Sequence, residues 1–225
     1  MKRSILCLTF ALLAASLLTA NAADYAVQAL NEPPPTAALS KEIAGLLSPT
    51  GVRVNRDSSA FCDLWFAKSW PAVSGFQATS EITYPFTPGQ FIGVARFARK
   101  AADFRDQDIN AGVYTMRYAQ QPVDGAHVGT SLTRDFLLLI QASKEQSPAA
   151  LEYKQLTKTS AEAAGSSHPA LLSLQKTSVE TKEFPALRHD EEHDWWIVGI
   201  QGNTQGKDKS APLPVELVIV GHAAE

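Results

Sequence analysis

The chain is short of several things that would have named a chemistry. It has two cysteines in 225 residues, and one of them, Cys7, lies in the first apolar run. It has no G-x-S-x-G elbow, no phosphate-binding loop and no G-x-G-x-x-G turn, which removes the motif-level signs of a hydrolase nucleophile or a nucleotide site. It has no c-type haem motif and no internal repeat. Charge of one sign is also scarce, with 20 basic against 23 acidic residues and a formal charge of −3. A mildly acidic chain does not hold nucleic acid or anionic lipid by bulk charge. After residue 18, no apolar run approaches membrane length.

The apolar run that is present decides the expected compartment. Lys2 and Arg3 give a positive start, Ile5 to Leu18 are almost continuously apolar, and Ala20-Asn21-Ala22 fits the small-x-small rule of signal peptidase. The pattern reads as a secretory signal over residues 1–22, too short for a comfortable span. The expected location is the periplasm or the extracellular space, with no membrane span once the signal is cleaved. Without Lys2 and Arg3, 18 basic residues face 23 acidic ones, a formal charge of −5. Cys62 then stands alone, so no intrachain disulfide is available in an oxidising compartment. It shares a strand parity with Leu64 and Phe66 in "FCDLWF", which reads as a buried thiol acting as a small hydrophobe. The other reading is an intermolecular disulfide or a reactive thiol, though Asp63 next door argues against a thiolate nucleophile.

Residues 23–35, ending "NEPPP", read as a stiff extended lead-in. "TAALSKEIAGLL" puts Leu39, Ile43 and Leu46/Leu47 on one helical face before Pro49 stops it. From "GVRVNR" onward the period is two. "FCDLWFAKSW", "SEITYPF", "FIGVARFARK", "GVYTMRYA" and "DFLLLIQA" read as short strands between Pro, Gly and Asp turns. A helix is expected from Ser147 as N-cap and Pro148 as first residue through to Gly165. "PALLSLQ", "DWWIVGIQ" and "PVELVIVGH" complete the strands, the last two pairing across the polar "GNTQGKDKSAPL". The expected fold is therefore mainly β, an immunoglobulin-like β-sandwich of about seven to nine strands with one or two short helices, in one domain over residues 36–225.

Tyr114 sharpens that expectation. It follows the turn residues Asn110 and Gly112 and shares a face with Met116, as in a tyrosine corner, whose hydroxyl bonds back to upstream backbone. The helix ending "LLSPTGVRV" with "FCDLWFAK", "GVYTMRYAQQPVDGAH" and "DFLLLIQA" resembles an uncharacterised family of exported bacterial β-sandwich proteins. The resemblance implies location and fold, and brings no activity with it.

Two places in the sequence are candidates for function. The loop 121–134 carries Asp124, His127 and Arg134, and long loops on rigid sheets are where binding residues tend to sit. Trp195 and Trp196, adjacent on a strand, must face opposite sides, and an outward tryptophan suggests carbohydrate or protein binding. "RHDEEHDWW" places His189 and His193 at i, i+4, a zinc-ligand spacing on a helix. On a strand the same spacing is about 13 Å, too far for one ion. His127, His168 and His222 are isolated in sequence. The leading expectation is a non-enzymatic exported protein with no cofactor, binding a protein, a polysaccharide of the cell envelope or a small ligand through its end loops. The alternative is a zinc or copper protein, or a metal-dependent hydrolase, using His127, His189 and His193.

Overall fold

The computed structural model describes residues 24–124, 131–178, 180–206 and 210–223; the expected signal segment, His127 and Lys207 to Lys209 lie outside them. The strands are β1 (Tyr25–Leu30), β2 (Gly51–Arg56), β3 (Ser59–Phe66), β4 (Trp70–Pro71), β5 (Phe91–Phe97), β6 (Ala101–Ala102), β7 (Asp108–Ile109), β8 (Gly112–Gln120), β9 (Asp135–Gln141), β10 (Leu171–Gln175), β11 (Ala186–Asp190), β12 (Trp195–Gln205) and β13 (Ser210–Val220). The helices are α1 (Lys41–Leu46) and α2 (Tyr153–Ala164). Strands hold 44% of the chain against 13% in helices, so the class is mainly β with two helices.

The long strands form one curled sheet of ten, in the order β1-β2-β3-β5-β8-β9-β10-β13-β12-β11, and every pair along it is antiparallel. The expected two-sheet immunoglobulin-like arrangement does not emerge from this ladder. The sheet instead curls until its ends approach, with Tyr25 of β1 5.1 Å from Trp196 of β12, ring to ring. Registers explain why it curls. Phe66, Gly93, Met116 and Leu139 stand side by side across four strands. Leu174, Leu217, Val198 and Leu187 do so across another four. All but Gly93 fall in or against one continuous core, and a sheet that buries one long apolar face against itself must bend around it.

The segment 72–90 fills one end of that core. Phe86 packs between Trp70 (5.4 Å) and Tyr118 (5.5 Å) and stacks on Tyr84 (5.7 Å). Tyr84 Oη donates to Gln175 O at 2.6 Å and accepts from Glu216 N at 3.0 Å, tying the plug to the β10–β13 junction. "SEITYPF", expected as a strand, thus belongs to no ladder: it begins in a bend closed by Thr79 N donating to Ile82 O at 2.8 Å. Its Thr83 N and Oγ1 donate to the buried Asp135 instead.

Two boundaries differ from expectation. The lead-in contains β1, which pairs with β2 over six residues. Ser147 does not start a helix: α2 begins at Tyr153 after Glu152. The carbonyls of Ser147, Pro148 and Ala149 are turned toward the Arg117 guanidinium, which keeps that segment out of helical geometry. Gly165 ends α2 at φ 61°, ψ 32°, the left-handed cap expected there.

The outer face of the sheet is covered in patches. Residues near Glu32 lie over Trp65, whose Nε1 donates to Glu32 O at 3.0 Å. The excursion carrying β6 and β7 lays Phe104 on Phe136, Trp195, Ile197 and Val218. Helix α2 sets Leu156 on Ala119, Leu138 and Ile140.

Candidate functional site

Between the last two patches the outer face is left hollow. Ala119, Phe136, Leu138 and Leu171 are neighbours on β8, β9 and β10 and all point outward, with Ala119 opposite Phe136 and Leu138 opposite Leu171. Three of the four are large and one is a methyl group, so the floor dips at Ala119. Phe104 and α2 wall the dip on two sides. The result is a cleft of about 490 Å³ lined further by Arg105, Gln120, Pro122, Tyr153, His168 and His222. That volume lies within the usual range of small-molecule sites, about 300–1,000 Å³.

The walls are held by backbone bonds and one carboxylate. Phe104 N donates to Leu171 O at 2.8 Å, and Ala223 N to Phe104 O at 2.8 Å. Trp195 Nε1 donates to His222 O at 2.8 Å, fixing the segment after β13 against the cleft. Asp103, 1% exposed, accepts from Arg105 N, Gln107 N, Gln107 Nε2 and Leu171 N. Burial raises its carboxyl above the usual range, with these four donors pulling the other way. Gln107 Nε2 also donates to Pro169 O at 3.0 Å, which orients the His168–Pro169 wall.

The polar lining is mixed, and within it Gln120 Nε2 donates to Tyr118 Oη at 3.1 Å. Arg105, His168 and His222 are exposed at the cleft's edge, and their side chains bond to solvent rather than to a partner among the described residues. The Tyr153 phenol is raised by burial and then by the charge of Asp124, so it stays protonated. No serine, threonine or cysteine hydroxyl or thiol among the described residues bonds to an imidazole; the Thr157 hydroxyl on the cleft wall donates to Tyr153 O at 3.0 Å. An apolar floor with exposed donors around it can hold a ligand.

The residues singled out in the sequence are distributed unevenly. Asp124 comes to the rim beside Tyr153. Arg134 is a scaffold residue: its Nε and Nη2 donate to Gln121 O at 2.9 and 2.7 Å, closing the base of the 121–134 loop. His127 lies outside the described residues. Trp195 is 2% exposed beneath Phe104 and the His193 ring, so it offers no open face. Trp196 is half-buried and stacked by His189 at 4.5 Å. The cleft residues Arg105, Tyr153, His168 and His222 come from four separate segments, and no spacing in the sequence joins them.

The histidine cluster forms a hairpin tip rather than a helix. His189 lies opposite Trp196 and Asp190 ends β11 opposite Trp195, and residues 191–194 turn into β12. His189 Nε2 is 2.8 Å from Asp194 Oδ1, and His193 Nδ1 is 3.0 Å from Asp190 Oδ1. The two imidazoles stack on tryptophans that face opposite sides of the strand. Among the described residues, no group of three or more His, Cys, Asp or Glu side chains is placed to hold a metal ion. Cys62 is fully buried, and burial, then Asp63, raise its thiol well above its usual value, which suits a packing role. No helix among the described residues is long and apolar enough to cross a membrane. No family model, curated protein or solved structure matches the chain.

Proposed function

We propose that this chain is an exported, non-enzymatic binding protein that takes a small apolar-bodied ligand in the cleft between Phe104 and α2. Residues 1–22 support export, as does the resemblance to exported bacterial β-sandwich proteins. The observation that carries the binding reading is the hollow beside Ala119, apolar below and edged by the exposed donors of Arg105, His168 and His222. A binding protein for envelope polysaccharide would need an open aromatic face. Trp195 is covered and Trp196 is already stacked, so the small-ligand form of the reading has the better support. The metal-dependent reading has no comparable support, because His189 and His193 each face their own carboxylate on a different side of the hairpin.

The test is a titration of the chain expressed without residues 1–22 with N-phenyl-1-naphthylamine, a neutral apolar fluorophore. Wild type should give a saturable rise in emission. Thr157→Trp fills the helix wall and should abolish the rise while leaving the far-ultraviolet circular dichroism unchanged. No saturable binding by wild type, or undiminished binding by Thr157→Trp, would overturn the proposal.

A further inference from the structure

We infer that the ligand of this cleft is an organic carboxylate: an apolar body lying over Ala119, Leu138 and Leu171, with its carboxylate at Arg105. The inference rests on the small-ligand reading above and adds the head group. Its first support is the state of Arg105. A guanidinium carries five N–H donors in a rigid fork that matches a carboxylate. Its neighbours are otherwise well used. Asp103 accepts from the Arg105 backbone N–H, and Gln107 Nε2 donates to Asp103 and to Pro169 O, yet the exposed Arg105 side chain donates to nothing among the described residues.

The second support is the character of the remaining lining. His168 and His222 border the same cleft, and each imidazole carries at least one N–H in either tautomer. The Tyr153 phenol, held protonated, is a further donor. Against these four donor groups, the acidic groups are Asp106 in the lining and Asp124 beside Tyr153. Asp106 adjoins Arg105 in sequence and has φ 59°, a turn conformation, and no ion pair between the two is formed. A neutral ligand would leave the Arg105 fork to water. A cationic one would meet Arg105 directly. A carboxylate fits the donor majority, and Arg–carboxylate pairs are among the stronger hydrogen-bonded contacts because both partners are charged.

Three ligands with one body and three heads separate the terms: 2-naphthylacetate, 2-(2-naphthyl)ethanol and 2-(2-naphthyl)ethylamine. Their dissociation constants would be measured by calorimetry on wild type and Arg105→Gln. The acid should bind about tenfold more tightly than the alcohol, the difference made by one charge-assisted contact. The amine should bind more weakly than the alcohol. Arg105→Gln should bring the acid down to the alcohol and leave the alcohol unchanged. Added salt should narrow the gap between acid and alcohol in wild type, because the contact is partly exposed. Equal binding of acid and alcohol, no effect of Arg105→Gln, or tightest binding of the amine would each overturn the carboxylate assignment while leaving the cleft as a ligand site. Failure of all three ligands to bind, together with failure of N-phenyl-1-naphthylamine, would overturn the cleft itself.

Discussion

Arg117 is 0% exposed on the outer face of β8, an expensive place for a guanidinium. Burial lowers its pKa, opposed by Glu145. Each of its three nitrogens is bonded: Nε donates to Glu145 Oε1 at 2.9 Å, Nη1 to Gly89 O and Ala149 O, and Nη2 to Ser147 O. Thr115 completes the set by donating to Glu145. Arg117→Met should therefore cost about 3–5 kcal/mol in urea unfolding, because it strands Glu145 in the dry interior. Arg117→Met/Glu145→Leu should recover part of that loss. Tyr114 works on a smaller scale. Its hydroxyl donates to Asn110 O at 2.9 Å, the back-bond expected of a tyrosine corner, here in a curled single sheet. Tyr114→Phe should cost about 1 kcal/mol by the same assay. The corner was legible because a turn, a tyrosine and a strand are contiguous in the chain. Arg117 was not, because its partners come from residues 89 and 145–149, which the sequence does not connect to it.

Gly202 and Trp70 set the end of β12. A Cβ built on Gly202 would lie 2.2 Å from the Trp70 ring. That ring is buried between Phe66 and Phe86, with Nε1 bonded to Ile92 O, so it cannot swing aside. Gly202→Ala should destabilise by about 1–3 kcal/mol in thermal or urea unfolding, as overpacked cores do. At the other end of the same strand, Asp190 and His193 tie the hairpin tip. Burial works to raise the Asp190 carboxyl, but the His193 ring and backbone bonds, the His193 charge and Arg188 together hold it below its usual value. A depressed carboxyl adds stability that is present above the unfolded value of about 3.9 and disappears as pH falls through the folded one. Asp190→Asn should therefore be less stable than wild type at neutral pH and converge with it in acid; a constant gap across the range would disprove the linkage. Period-two patterning revealed β12 and β13 but ended them early at a polar loop. The ladder runs from Trp196 opposite Val220 out to Gln205 opposite Ser210. Pro212 and Pro214 are tolerated in β13 because β10 pairs with that strand only at Glu216 and Leu217, leaving the proline edge without a second neighbour. The strand β1 was hidden by its position just before Pro33 to Pro35, whose stiffness reads as a linker.

The whole molecule is a sheet wound around its own apolar face, with three patches of chain laid over its outside. The mainly β class, the two helices and the β12–β13 pairing were legible because each rests on local periodicity. The curl was not, because alternation tells which residues face inward but not whether the opposing face belongs to a second sheet or to the same one. The cleft was still less visible. It is a gap left where a single alanine sits among Phe136, Leu138 and Leu171, and its donors come from four segments. The measurement that tests this account most directly is amide chemical-shift mapping of isotope-labelled protein with 2-naphthylacetate. The largest shifts should gather at Phe104, Arg105, Ala119, Gln120, Leu171 and His222, with core strand positions such as Met116 and Val198 unmoved. Shifts centred on the His189–His193 hairpin tip, or spread through the core strands, would contradict it.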